Sequence, residues 1–159
     1  MDELGFQMHI VRAFDTMFHE DAHVSFTESL DLNPGVPDLH VTVHGMSFWI
    51  ECKVWRPGRM PSIRPTQVKW IEKELAANGR VVIAVLYKDE FVKVYRGAAA
   101  RDIVRCKAAN QMRMMAELHT TLNMQAMTEA LINVAYPGAI DFMPKTAMEE
   151  TISSSDDNH

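Results

Sequence analysis

The sequence predicts an α/β domain: a first helix, a mixed central sheet with a β-hairpin, a βαβ crossover, and helices at the C-terminal end. Three observations carry this. Leu39, Val41 and Val43 alternate with polar neighbours up to His44-Gly45, and Met46, Phe48, Ile50, Cys52 and Val54 then alternate with Ser47, Trp49, Glu51 and Lys53. Period-two patterns on both sides of a short X-Gly centre read as a hairpin. A helical segment ending at Gly79 leads into the apolar run Val81-Val82-Ile83-Ala84-Val85-Leu86, which reads as a crossover into a strand buried on both faces. Leu4, Met8, Val11, Phe14, Met17 and Phe18, with Ile10 flanking, recur at helical spacing near the N-terminus.

The elements follow in order. Residues 2–19 form the first helix, with Glu3 in its first turn, where a carboxylate complements the helix dipole. Val24-Ser25-Phe26-Thr27 reads as a short strand. Asn33-Pro34-Gly35-Val36-Pro37 has turn chemistry throughout, and Pro37, lacking an N–H, suits the first position of a strand. The hairpin follows. Trp55 to Pro65 is a loop punctuated by prolines and Gly58.

Thr66 reads as an N-cap for a helix from Gln67 to about Asn78, with Gly79 as its left-handed terminator. Val68, Ile71, Leu75 and Ala76 make its apolar face, and Trp70 is expected to pack. The buried strand comes next, and Lys88-Asp89-Glu90 turns the chain into Phe91–Tyr95, expected as an edge strand. From Ala98 to about Ala135 the pattern is helical, with a break near Thr120–Asn123. The organisation read from this is a core over residues 1–96 and a helical extension over 97–140. That extension either packs on the core or forms a dimer face. Residues 141–159 read as an acidic, disordered tail.

Composition bounds the class. The length of 159 residues suits one domain, and 47% hydrophobic with 23% charged residues is ordinary for a globular chain. No run approaches the ~20 apolar residues of a membrane span, and no secretory signal pattern opens the chain. Cytoplasmic residence and no membrane partner are the expectation. Cys52 and Cys106 fit a reducing compartment. The net charge of −5 argues mildly against a nucleic-acid partner. Its distribution softens that objection, because Lys53, Arg56, Arg59, Arg64, Lys69, Lys73 and Arg80 face only Glu72 and Glu74 between residues 52 and 80. A basic strip of this kind suits a phosphodiester.

The hairpin register carries the chemistry. With His44-Gly45 as a two-residue turn, Val43 faces Met46 and Asp38 falls opposite Glu51. Asp38, Glu51 and Lys53 then share one face, and the apolar set takes the other. Two carboxylates on directly opposed positions repel unless a proton or a cation lies between them. Lys53 is a partial neutraliser; a hard divalent cation such as Mg²⁺ is the fuller one.

Pro37-Asp38, a spacer, and Glu51-Cys52-Lys53 resemble the PD-(D/E)XK nuclease pattern. Gly35-Val36-Pro37-Asp38, with Gln67 and Trp70 in a later helix and then Gly79, is similar to the VRR-NUC and Holliday-junction-resolvase-like branch. The resemblance covers roughly residues 1–96. It implies a restriction-endonuclease-like core and a Mg²⁺- or Mn²⁺-dependent DNA endonuclease with a 5′-phosphate product. It also implies a homodimer acting on branched or structured DNA. Asp38, Glu51 and the carbonyl of Cys52 would hold the metal, Lys53 would act on the attacking water, and Gln67 would help place water or phosphate. An upstream acid belongs on the first helix, which puts Glu3 first, Glu20 second and Glu28 third. Arg56, Arg59, Arg64, Lys69 and Lys73 are candidates for DNA contact, arginine being able to clamp a phosphate through two N–H groups. The alternative is a nuclease-fold module that binds nucleic acid or recruits a partner without turnover.

Other constellations are weaker. His40 and His44 share a strand face but stand roughly 13 Å apart at the usual rise, too far for one zinc ion. Cys52 should point into the core, which removes its thiol as a nucleophile. No Walker loop, Rossmann glycine motif or Gly-x-Ser-x-Gly elbow is present.

Overall fold

Apolar residues at positions 6, 10, 13, 14 and 17 fall on one side of a 3.6-residue turn, and this stripe sets the first layer. The computed structural model describes residues 1–27 and 34–144, and in it α1 (Glu3–Phe18) buries Phe6, Ile10, Ala13, Phe14, Met17 and Phe18. The stripe is rotated from the one expected. Leu4 and Met8 are exposed and Ile10 lies at its centre, because the full set with Phe6 covers the sheet better than a face begun at Leu4. Asp2 caps the helix by accepting from the Gly5 N–H at 2.8 Å.

The remaining strands and helices are β1 (Ala22–Phe26), β2 (Leu39–Val43), β3 (Met46–Trp55), α2 (Pro65–Ala76), β4 (Val81–Tyr87), β5 (Phe91–Arg96), α3 (Ala100–Arg105), α4 (Ala109–Met114), β6 (Leu118–Thr121) and α5 (Met124–Ala135). The six strands lie in sequence order, antiparallel except for the β3–β4 pair. This is a mixed α/β fold: helix, hairpin, then a parallel crossover through α2. The β2–β3 register is the expected one, with Val43 facing Met46 and Leu39 facing Ile50. His44 and Gly45 both have positive φ, the hairpin turn that matches strand twist.

The sheet separates two cores. Leu39, Val41, Val43, Phe48, Ile50 and Cys52 face α1 and α5, and share their cluster with Val82, Ala84, Leu86, Val92 and Val94. Trp55, Ile83, Val85 and Tyr95 face the other way, against Val68 and Ile71 of α2, Ile103 of α3 and Met112 of α4. Trp70 packs edge-on against Trp49 with ring centroids 5.0 Å apart.

Several local expectations are corrected. Arg64, not Thr66, is the N-cap of α2, because Pro65 occupies the first helical position, where a missing N–H costs nothing. Asn78, not Gly79, takes the left-handed conformation after α2. Gly79 N–H bonds to Glu74 O and Asn78 N–H to Leu75 O, the Schellman pattern, and the Glu74 side chain folds over Gly79. β5 is not an edge strand: β6 pairs with it antiparallel, from Phe91 opposite Thr121 to Val94 opposite Leu118. The break expected near Thr120–Asn123 takes the form of a strand that begins at Leu118, as the β-branched pair Thr120-Thr121 favours. A short 3₁₀ turn at Ala139–Phe142 opens the stretch read as an acidic tail, and residues 145–159 of that stretch lie outside the described residues.

Two glycines with positive φ separate conformation from crowding. At Gly35 (φ +86°) an added Cβ would lie 2.2 Å from the Thr66 carbonyl oxygen, whereas at Gly45 (φ +79°) nothing stands within 4 Å. Gly45→Ala is expected to cost about 1–2 kcal/mol, the left-handed penalty alone. Gly35→Ala must also displace the first turn of α2 and is expected to cost about 3 kcal/mol or more. Urea unfolding of both variants checks the order, and equal costs would remove the close approach at Gly35.

Candidate active site

Strand alternation puts Glu51 and Lys53 of β3 on the α2 side of the sheet and Cys52 on the α1 side, where its thiol is fully covered and burial pushes its pKa well up. Asp38 stands one residue before β2. Its carboxylate accepts the Cys52 N–H at 2.8 Å, so the side chain takes over the ladder where backbone pairing ends. Thr27, just after β1, fixes the same bend: its N–H bonds to Asp38 O at 2.9 Å and its hydroxyl donates to Pro37 O.

Gln67 joins the hairpin to α2. Its Nε2 donates to Glu51 Oε1 at 2.6 Å, while its Oε1 accepts from the Arg64 N–H at 2.9 Å and from Lys53 Nζ at 3.2 Å. The Arg64 contact is one half of a capping box, with the third helical residue reaching back to the cap N–H. Lys53 Nζ also lies 3.3 Å from Glu51 Oε1. One oxygen of Glu51 thus has two partners. The other, Oε2, is buried and has none among the described residues.

Electrostatics follow from this geometry. Burial and then the Asp38 charge raise the Glu51 pKa to about 8, with Lys53 opposing and Glu3 adding. Burial also raises the Asp38 pKa, against the Cys52 N–H and Lys53, while Glu3 raises it further and Arg64 lowers it. Glu3 therefore acts on both carboxylates from the first turn of α1. Glu20 sits beyond the other end of that helix, roughly 25 Å along its axis, and does not join them. Glu28 lies outside the described residues.

A cleft of about 450 Å³ opens beside Lys53, lined by Asp2, Glu3, Lys53, Arg56, Arg59 and Ser62 among others; Asp38 and Glu51 do not line it. Arg56 and Arg59 are neighbours because Pro57-Gly58 makes a tight turn between them, with Gly58 at φ +74° and the Arg59 N–H on Arg56 O at 3.1 Å. Arg64 reaches the pair through its backbone and its charge. Lys69 and Lys73 project from the exposed side of α2 and do not line the cleft.

The donor set can be tested against a divalent cation. Among the described residues no three His, Cys, Asp or Glu side chains converge as a metal cluster, so Glu3 is not a third close ligand. What remains is two mutually repelling carboxylates, one with a buried, unsatisfied oxygen. A residue's N–H and C=O leave an extended strand on the same edge, so the Cys52 carbonyl faces the Asp38 side as well. Two carboxylates, a carbonyl and water fit Mg²⁺, which keeps several waters and needs few protein ligands.

Comparison with known proteins adds little to this geometry. No family model matches the chain, and no curated protein does. One solved structure that resembles it is Hjc, a Holliday junction resolvase from the archaeal hyperthermophile Archaeoglobus fulgidus. The match has 11% identity and a TM-score of 0.44, over 60% of this chain and 74% of that one. Likeness at that level bears no functional weight.

The shifted carboxylate has a thermodynamic signature. Without divalent cations the folded chain keeps a proton on Glu51 up to about pH 8, whereas the unfolded chain releases it near 4.5. The folded state holds the extra proton in that window, so this group's contribution to stability is full below pH 4.5 and is lost as pH rises towards 8. In EDTA, the urea midpoint of wild type minus that of Glu51→Gln is expected to fall across this window. A difference that rises with pH would contradict the buried, repelled state of Glu51.

Proposed function

We propose that the chain is a Mg²⁺- or Mn²⁺-dependent DNA endonuclease that hydrolyses phosphodiester bonds. The observation that carries this is Glu51: a buried carboxylate near Asp38, with one oxygen locked by Gln67 and by Lys53, which lines a cleft holding Arg56 and Arg59, and with the other oxygen unsatisfied among the described residues. The Pro37-Asp38 and Glu51-Cys52-Lys53 pattern extends the reading to branched DNA, a 5′-phosphate product and a homodimer.

Asp38, Glu51 and the Cys52 carbonyl would hold the cation, with Glu3 acting through water. When bound, the cation supplies Lewis acidity at the scissile phosphate and a more acidic water. The chain's own groups do the rest. Lys53, held by Glu51 and Gln67, orients the attacking water and offsets the charge that grows on the phosphorus oxygens. Gln67 fixes the rotamers of both residues, which keeps these charges in place before substrate arrives. Arg56 and Arg59 hold the backbone in the cleft. Lys69 and Lys73 contribute to the approach of DNA through their charge alone.

Asp38→Ala and Lys53→Ala are each expected to lower Mg²⁺-dependent cleavage by roughly 10²-fold or more while the chain stays folded. Duplex, single-stranded, flap and four-way-junction DNA form the assay panel, with far-ultraviolet circular dichroism as the folding check. Full activity in either variant removes the catalytic assignment. DNA binding without cleavage in Mn²⁺ would reassign the wild-type chain as a binding module.

A further inference from the structure

A second charged constellation lies on the same sheet face as Lys53. The register runs Lys53 opposite Val85, Val85 opposite Lys93 and Lys93 opposite His119, so these four side chains form one row across β3, β4, β5 and β6. Two strand spacings, roughly 10 Å, separate Lys53 from Lys93. The adjoining row holds Trp55, Tyr87 and Phe91, with Trp55 and Tyr87 in ring contact at 4.9 Å.

Lys93 is 6% exposed, and a lysine so buried ordinarily has a carboxylate partner. Here it has an imidazole. Its Nζ lies 2.9 Å from His119 Nδ1 and 5.1 Å from the Tyr87 ring centroid. Lys88 Nζ stands 5.2 Å from the same ring, and Arg113 donates to the Tyr87 hydroxyl at 3.2 Å. None of the ion pairs among the described residues takes up Lys88, Lys93 or Arg113, and the nearby Asp89 is bonded to the N-terminal amine. Burial lowers the Lys93 pKa, the Tyr87 hydroxyl opposes that shift and the Arg113 charge adds to it. The Lys93 ammonium has no lone pair, so Nδ1 of His119 must accept. The imidazole is then held with Nε2–H as a donor, on a side chain that is exposed.

We propose that Lys93, His119, Arg113 and Lys88 form a second phosphate site that takes a nucleic-acid backbone phosphate other than the one facing Lys53. Lys93 is its buried fixed charge; His119, Arg113 and Lys88 are the donors at its mouth, and the Tyr87 ring is its wall. The site deepens the nuclease reading and rests on it for the identity of the ligand. Lys53 stands in the same row two strands away, with the buried Val85 between them.

The test is the salt dependence of DNA binding by the full chain in EDTA, where no cleavage occurs. Fluorescence anisotropy with labelled duplex and single-stranded DNA gives the slope of log K against log salt. Each phosphate contact contributes about 0.9 to that slope on duplex. Lys93→Met, which keeps chain length and shape, and the surface double variant Arg113→Gln/His119→Gln are each expected to reduce it by about one unit, on all sequences alike. The surface variant keeps the test valid should Lys93→Met fail to fold. An unchanged slope in the surface variant overturns the site and leaves the nuclease reading intact. A reduced slope with no cleavage in Mn²⁺ supports the site and overturns the nuclease. Phosphatidylglycerol vesicles are the control: if they bind with the variant-dependent slope and DNA does not, the phosphate is a lipid headgroup and the proposal fails.

Discussion

One dehydrated carboxylate organises the β2–β3 and α2 end of this molecule. Glu51 is 1% exposed between β3 and α2, where removing a charge from water costs several kcal/mol unless the group is paired or protonated. Gln67 and Lys53 satisfy one of its oxygens. The other has no partner among the described residues, and burial with the Asp38 charge pushes the pKa of the group to about 8. Much of the local chain serves the placement of Gln67. Gly35 lets the loop before β2 lie against the Thr66 carbonyl, Pro65 starts the helix, and the Arg64 N–H fixes which end of the amide faces Glu51. The helix cap and the site share one side chain, so α2 cannot shift without moving Lys53 and Glu51.

The hairpin was legible in the sequence because its information is local. A two-residue turn with positive φ at both positions fixes the register, and the register then fixes the faces. That was enough to bring Asp38, Glu51 and Lys53 together and to send Cys52 inward. Boundaries were less legible, since Arg64, Thr66, Asn78 and Gly79 all have some capacity to cap or terminate. The choice among them was made by Pro65 and by how Gln67 is bonded, which are facts of tertiary structure. β6 was hidden for the same reason. Leu118-His119-Thr120-Thr121 is short and mostly exposed, and it is extended because β5 offers an open edge. Lys93 did leave a signal, a charged residue inside Val92-Lys93-Val94-Tyr95. Its meaning depended on β6 being there to cover it.

Charge in this protein is sorted by position rather than by total. The net charge of −5 describes the whole chain. One sheet face is apolar under α1 and α5, while the other carries Glu51, Lys53, Lys93 and His119 at the rim of the core under α2, α3 and α4. Acid and base are not mixed evenly on that second face. The carboxylates gather at the β2–β3 end with Lys53, while Lys88 and Lys93 lie against the Tyr87 ring.

That asymmetry gives the chain after β5 a part in the site. Without β6, Lys93 would project from an edge strand with its ammonium in water, where screening makes a single charge worth little. β6 turns β5 into an interior strand, supplies His119 as the acceptor for Lys93, and follows α4, whose Arg113 is tied to Tyr87. The same segment leads into α5, which closes the opposite face against α1 and fills the core behind β3 with Met127, Leu131 and Ile132. The residues after 96 therefore act on both sides of the sheet at once. They complete the apolar layer that holds β3 rigid, and they extend the charged row that begins at Lys53.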